Sequence, residues 1–567
     1  MYFNSKGKEE VSYDAIVIGS GISGGWAAKE LSEKGLKTLV LERGRMVKHG
    51  DYPTANLETW DVPNRGQLSL EEMKDYEKQS RTGYTISEFY KHWWIKDTDQ
   101  PYTEIKPFDW IRGYHLGGRS IMWGRQSYRW SPMDFEANGK DGVAVDWPIR
   151  YSDLEPWYDY VEGFAGISGQ NEGLEQLPDG KFLPPMELNC LEKKVKSKIA
   201  ENFGDRMLTI GRVAHLTEPK HNRGTCQYRN RCMRGCPYGA YFSSLASTLP
   251  AAEVTGNLTI TTNAIVHSII YDEETKRAVG VRARDSNTLE EREFYAKVIF
   301  CNASTVGTTS ILLNSTSDRF PNGMGNDSGE LGHNMMDHHF HIGASAKTDE
   351  FRDKYTKGRR PNGIYIPRFR NLNKATKQKD FIRGYGYQGG GSRDGWQRNV
   401  KELSFGPQLK ESLTHPGDWS FGLLGFGEIL PYHDNKMYLD YEKKDKWGMP
   451  TVVFDCELKD NELAMRKDMM ISAAEICEAS GLKNVETFEN RYGFGNGIHE
   501  MGTARMGRDP KTSVLNGWNQ IHSVKNVFVT DGACMTSGAC QNPSLTYMAL
   551  TARAADFAVS ELKKKNL

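Results

Sequence analysis

Three thiols stand close together in one loop of this chain: Cys226, Cys232 and Cys236, spaced C-x5-C-x3-C, with Pro237 directly after the last. Thiolates hold iron–sulfur clusters, and a terminal Cys-Pro is familiar in ferredoxin-type loops. Three ligands rather than four suggest a 3Fe-4S cluster, and arginines at 223, 229, 231 and 234 favour thiolates and a negatively charged group. Zinc uses such spacing loosely, and a metal-free loop is the third reading. The other six cysteines, Cys190, Cys301, Cys456, Cys477, Cys534 and Cys540, are scattered and read as buried free thiols. A second signal is Gly19, Gly21 and Gly24 in the spacing GxGxxG, a phosphate-cradling pattern when it joins a strand to a helix. A third lies near the C-terminus. His499 opens HEMGTARMG with an imidazole that titrates near neutrality, and Asn542 in QNPSLT carries an amide that can hold an oxygen in place. Taken alone, His499 reads as a satisfied core histidine, and Asn542, before Pro543, as a helix cap.

The elements around these residues decide between such readings. Asp14 to Ile18 is an apolar β-branched run that suits a strand buried on both faces, and the glycine turn follows at once. A helix through Trp26 to Leu31 then ends near Gly35, and Thr38 to Leu41 form a second strand with Glu42 at its tip. Gly19 allows the tight turn, Gly21 lets the backbone approach a pyrophosphate, and Gly24 lets helix and strand pack closely. The helix N-terminus faces the phosphates and Glu42 accepts from ribose hydroxyls. The stretch predicts a dinucleotide site without naming the dinucleotide.

Residues 50–110 are polar and aromatic and read as an excursion over the surface of the nucleotide domain. The segment Gly113 to Gly124, with Gly117-Gly118, Arg119 and Ser120, lets a backbone lie against something flat, or is an ordinary glycine turn. Residues 186–206 read as an amphipathic helix, Leu258 to Val266 and Gly280 to Ala283 as strands, and Lys297 to Cys301 as a return to the parallel sheet. From about 340 to 490 the alternation suits an antiparallel sheet, with Lys436 to Asp440 and Thr451 to Phe454 within it. Inside it, Gly384 to Gly391 is too glycine-rich for an ordinary core strand and reads equally as a ligand-facing stretch or a loop. Residues 461–480 form a helix. Asn526 to Gly532 is a strand ending at Asp531-Gly532, beside the helix opened by Gln541 to Thr546, and can complete the nucleotide site.

Composition sets the outer bounds. With 567 residues the chain has room for two to four domains, and 73 basic residues balance 73 acidic ones, which favours neither nucleic acid nor an anionic membrane as partner. No apolar run approaches the length of a membrane span. The N-terminus is polar and leads straight into the first strand, so no ordinary signal peptide is expected.

GSGISG with Glu42, the Gly117-Gly118 segment, Asp337-His338 after Gly332-His333-Asn334, HEMGTARMG, and VTDG with QNPSLT occur in that order over nearly the whole chain. In this the sequence resembles the glucose–methanol–choline (GMC) oxidoreductases, and within them the bacterial dehydrogenases of sugars and sugar derivatives. The resemblance implies an α/β fold, a Rossmann-type FAD-binding domain with a second α+β substrate domain built on an antiparallel sheet. The implied division is 1–50, 206–340 and 491–567 for FAD binding, 51–205 for the covering excursion, and 341–490 for substrate. His499 then faces the reactive end of the flavin as catalytic base, with Asn542 completing the pair. Gly19, Gly21, Gly24, Glu42, Arg43, Gly117, Gly118, Ser120, Val266, Asp531 and Gly532 are the implied cofactor-binding residues. Cys226, Cys232 and Cys236 are the implied ligands of a 3Fe-4S cluster.

The implied activity is oxidation of a secondary hydroxyl of a sugar or glycoside, at C3 in one version, with electrons leaving through the cluster. A sugar-acid dehydrogenase of the gluconate type and an oxygen-using sugar oxidase are the alternatives. A small partner subunit and a haem or quinone acceptor are the implied partners, and periplasmic location by co-export or a cytoplasmic one fits equally.

Overall fold

The computed structural model describes residues 12–356, 358, 360–393, 405–414, 417–489 and 493–567. The polar start, residues 1–11, lies outside them. The apolar run after it forms the strand Tyr13–Ile18, almost wholly buried because it is flanked on both sides. Thr38–Leu41 pairs with it in parallel on one edge and Glu291–Cys301 on the other. Val524–Phe528 joins beyond Glu291–Cys301, and Leu258–Thr261 beyond Thr38–Leu41, both parallel. Gln520–Ile521 adds an antiparallel edge, and the hairpin Ala264–Asp272 and Arg277–Asp285 extends from Glu291–Cys301 to make eight strands. This is the doubly wound arrangement, in which ligands bind outside the carboxyl ends of the strands. Helix Ile22–Glu33 follows the glycine turn, and helix Ser544–Lys563 packs against it.

A six-stranded sheet carries the second layer, ordered Lys483–Glu489, Ile342–Thr348, Trp419–Gly427, Tyr385–Arg393, Ile364–Ile366, Thr209–Ile210, with antiparallel pairing throughout. Helices Cys190–Asn202 and Asp460–Ala479 cover one face, burying Leu191, Val195, Met465, Met469 and Ile476 against Tyr387, Phe421 and Leu423.

Two expectations differ from this layer. The glycine-rich stretch is not a loop, the one of its two readings that fails; Gln388 to Arg393 line the cavity between the two large sheets. Tyr385–Arg393 is a central strand, and a side chain at Gly389 would meet the Gly422 carbonyl at 1.9 Å, so the glycines let neighbouring strands close up. The strands Lys436–Lys444 and Pro450–Asp455 leave this sheet altogether. They form a separate three-stranded sheet with Tyr102–Glu104 of the excursion, the last pair parallel. Phe108 and Phe454, stacked 3.9 Å apart, supply the apolar contact that draws the excursion there. Most of the excursion's tryptophans, Trp93, Trp94 and Trp110, are buried; Trp60 is exposed.

Candidate active site

One cavity of about 1520 Å³ lies between the two large sheets. Its wall includes Gly19, Gly21, Glu42, Arg43, Gly118, Ser120, Val266, Asp531 and Gly532 together with His499 and Asn542. Small-molecule sites usually measure ~300–1,000 Å³, so there is room for an extended dinucleotide and a substrate. Gly24 and Gly117 stand outside the wall and shape it. Gly24 allows contact between helix and turn, since a Cβ there would lie 2.0 Å from the Gly19 carbonyl oxygen. Gly19 (φ 91°) and Gly117 (φ 88°) hold left-handed conformations that side chains resist. A Cβ on Gly21 would meet nothing, because its backbone faces open cavity.

Glu42 is buried, and its carboxylate is already engaged. Oε2 accepts from the Ser20 backbone N–H (3.1 Å) and hydroxyl (2.5 Å), and Oε1 from Gly44 N–H (2.8 Å). Burial pushes its pKa up, against the Ser20 hydrogen bond. Arg43 pairs with Asp445 at 3.0 Å and lies over Tyr114. Ser120 turns inward to its own loop, donating to Gly117 O and accepting from Ser244 N–H. Asp531 accepts from Thr308 Oγ1 (2.5 Å) and Ala533 N–H (3.0 Å), and burial pushes its carboxyl up to about 6. Several buried polar atoms in residues of the wall, among them Asn302 Nδ2, the Tyr547 hydroxyl, Trp94 Nε1 and Arg125 Nε, have no protein partner. With the open backbone at Gly21, they fit a large polar cofactor in this cavity.

His499 and Asn542 come together although they are far apart in sequence: Asn542 Nδ2 donates to His499 Nε2 at 3.5 Å. Asn542 caps no helix. Pro543 takes the cap position without a side-chain bond, and Asn542 Oδ1 instead accepts from Gln388 Nε2 at 2.5 Å. Burial holds the His499 imidazole well below its ordinary pKa, aided by His338 and Arg119, so the ring is neutral at pH 7. His338 Nδ1 lies 2.8 Å from His499 Nδ1. Asp337 accepts from the backbone N–H groups of Gly497 (3.0 Å) and His499 (2.9 Å). Glu500 and Arg119 form a salt bridge at 3.1 Å, and Arg119 also donates to Ser304 Oγ. His338, Asp337, Gln388, Arg119 and Glu500 were outside the candidate set. Each lies in a stretch that the sequence had marked: Asp337-His338, Arg119 and Glu500 in motifs of the resemblance, and Gln388 in the glycine-rich stretch open to a ligand-facing reading. What the sequence did not give is their pairing, which exists only once the sheets assemble.

The cysteine loop stands beside this cavity, whose wall includes Tyr228 and Met233. The Tyr241 hydroxyl lies between Ile121 O and Cys232 O (3.1 Å) and shares its one proton with them, tying the loop to the Gly118–Ile121 turn. Cys226, Cys232 and Cys236 are each half-buried, and His215 Nε2 is 3.7 Å from Cys232 Sγ. Burial, together with neighbouring thiols, pushes Cys226 up to about 11 and raises Cys236. The arginines do not converge on the thiols as expected. Arg229, Arg231 and Arg234 donate to backbone or side-chain oxygens of residues 54–58, and Arg223 to Gly239 O and Ala165 O. Buried or half-buried guanidinium groups are held by these neighbouring oxygens instead. Among the described residues, no three His, Cys, Asp or Glu side chains stand together as a metal-holding group, and no helix is long and apolar enough to cross a membrane.

GMC oxidoreductase family models match residues 13–340 and 431–551. A 2-methyl-1,2-propanediol dehydrogenase of Mycolicibacterium austroafricanum is 28% identical, over 96% of this chain and 94% of that one. A fructose dehydrogenase large subunit of Gluconobacter japonicus is 26% identical, over 98% and 99%. Among solved structures, pyridoxine 4-oxidase from Mesorbium loti superposes with a TM-score of 0.60 at 16% identity, over 96% and 98%, a likeness of fold. With its doubly wound sheet, its cavity and these matches over nearly its whole length, the chain belongs to the GMC oxidoreductase family and is an FAD-dependent oxidoreductase acting on CH–OH donors.

Proposed function

We propose that the protein is a dehydrogenase that oxidises a secondary hydroxyl of a neutral sugar or glycoside, with His499 as the base. The observation that carries this is the His499–Asn542 pair, an acceptor and a donor side by side in the wall of the cofactor cavity. A bound FAD would supply the acceptor for the hydride that leaves the carbinol carbon. His499 Nε2 takes the hydroxyl proton, help typically worth ~10²–10⁴ in rate. Asn542 Nδ2 donates to the same oxygen and stabilises the charge that develops there. Gly19, Gly21, Gly118 and the Asp531-Gly532 turn would hold the cofactor's phosphates and ribityl chain, and Glu42, Arg43 and Val266 its adenosine end.

Phe340 and Phe426 stand beside the pair and offer an apolar face for a sugar ring, while Gln388 and Ser345 supply polar groups. A neutral substrate suits the site better than a sugar acid. Arg119, the cation whose charge reaches His499, is paired with Glu500, and Arg360 in the cavity wall is paired with Glu192. Oxidation at C3 of a glucoside is the specific version of this proposal.

The cysteine loop belongs to the same proposal. Cys226, Cys232 and Cys236 are the thiols that would hold a 3Fe-4S cluster, and such a cluster would supply a one-electron outlet toward a small subunit and a haem or quinone acceptor. The loop's place against the 118–121 turn supports this, while the thiols as they stand do not close on a common point. Anaerobic mixing of the holoenzyme with a sugar panel, following flavin absorbance, tests the substrate class. Bleaching by neutral sugars but not by gluconate is expected; the reverse would overturn it. Peroxide formed at one per turnover in air would make it an oxidase, and an iron-free, EPR-silent oxidised protein would remove the cluster.

A further inference from the structure

The geometry points to a device behind the catalytic pair: we infer that two positioning residues, His338 and Gln388, fix which member of the His499–Asn542 pair accepts a hydrogen bond and which donates. This rests on the reading of His499 as the base and explains how the base is made ready.

The argument starts from two carbonyls. His338 Nε2 lies 3.1 Å from Gly538 O and 3.0 Å from Ala539 O. A carbonyl oxygen only accepts, so this nitrogen carries the proton. Burial holds His338 below its ordinary pKa, so the ring is neutral and its Nδ1 has only a lone pair. That lone pair is 2.8 Å from His499 Nδ1, which must therefore donate. His499 is left with its lone pair on Nε2, the nitrogen next to Asn542. The protonated nitrogen of each ring follows from the last.

Gln388 works on the other partner. Its Nε2 donates to Asn542 Oδ1 at 2.5 Å, which occupies the amide oxygen and turns the NH₂ toward His499. The reverse orientation of Asn542 would set oxygen against the His499 lone pair. The two chains of bonds agree on one polarity only: Nε2 accepts the substrate proton, and the Asn542 NH₂ supports the substrate oxygen. Backbone strain marks the same place. Ala539, whose carbonyl anchors His338, holds φ 51°, and Ile498, directly before His499, holds φ 57°. Left-handed backbone is uncommon for alanine and an outlier for a β-branched residue, and such strain gathers where geometry has to be held.

Ring-nitrogen NMR of holoenzyme labelled with ¹⁵N-histidine reads the tautomers directly, with assignment from His338→Gln and His499→Asn. His499 is expected with its proton on Nδ1 and His338 with its proton on Nε2; a proton on Nε2 of neutral His499 would overturn the inference. Stopped-flow flavin reduction gives the second reading. His338→Leu is expected to lose at least tenfold in rate, with flavin content unchanged. His338→Gln, whose amide can both donate to the carbonyls and accept from His499, recovers most of it. Gln388→Glu, which can only accept, draws the Asn542 NH₂ to itself and loses a similar factor. Equal rates for Leu and Gln at 338, or a wild-type rate for Gln388→Glu, would refute the device. Failure of the underlying reading looks different, because His499→Ala would then keep its rate. Should a variant not take up flavin, the tautomers of the unaltered enzyme still decide the matter.

Discussion

Asp337 receives two backbone N–H bonds that favour its charged form, yet burial, and then the neighbouring Glu500 carboxylate, push it up to about 7. A free aspartate titrates near 3.9. Between about pH 4 and 7 the folded chain therefore holds a proton that the unfolded chain has released. The sign follows: this group's stabilising contribution is full below about pH 4 and is lost as pH rises through about 7. Urea unfolding of wild type and Asp337→Asn at a series of pH values should show the wild type's advantage shrinking across that window. A constant difference would mean that Asp337 is charged throughout. The sequence singled out Glu42 and Asn542 at the ends of patterned elements, and His499 through the HEMGTARMG motif, since no helix or strand ends there. Their pairing was not legible. Ser20, His338 and Gln388 stand in stretches the sequence had marked, but they reach their partners only through folding, and a hydroxyl, an imidazole and an amide carry no local sign of the hydrogen bond they will make.

At the scale of elements, the glycine turn offers a sharper test than any one side chain. Gly24 and Gly21 have the same residue type and opposite surroundings. A methyl at Gly24 would lie 2.0 Å from backbone, whereas one at Gly21 would point into empty cavity. Gly24→Ala is therefore expected to lower the melting temperature of the flavin-free protein by several degrees, as overpacking of ~1–3 kcal/mol does. Gly21→Ala should leave that temperature alone and weaken FAD binding at least tenfold by titration. The same loss of stability in both would contradict the placement of Gly21. The strands on either side of this turn were readable because burial on both faces demands a continuous apolar run. The strand Tyr385–Arg393 was harder, since its glycines obey the spacing between neighbouring strands and not hydrophobic alternation. Alternation also could not say which sheet would receive Pro450–Asp455; the Phe108–Phe454 stack settles that through a distant segment.

For the molecule as a whole, the cavity wall draws on both large sheets and on segments from the first 50 residues and the last 40. A cofactor filling it touches both layers and adds to the hydrogen bonds, such as Gln388 to Asn542, that already join them. At 100 times its dissociation constant, a ligand of the folded state adds ~2.7 kcal/mol. Hydrogen exchange with and without FAD should accordingly show added protection in Tyr13–Ile18 and also in Tyr385–Arg393. Protection confined to the first would mean that the second sheet lines a separate space. The two-sheet plan was visible in the sequence as a change from continuous to alternating apolar runs. The third sheet was not, because one of its three strands, Tyr102–Glu104, is only three residues long and far in sequence from the other two.

The Ser20 hydroxyl donates to Glu42 and accepts from the Gly117 N–H at 2.9 Å, so one oxygen knots the glycine turn, the tip of the second strand and the Gly117 loop. A seat tied in this way is already assembled when empty. Removing the flavin then leaves a mould of the right shape, and the apoenzyme should take back added FAD quickly and completely, with little rearrangement. Ser20→Ala unties the knot while leaving the wall itself in place, and should show itself first as slow, incomplete reconstitution.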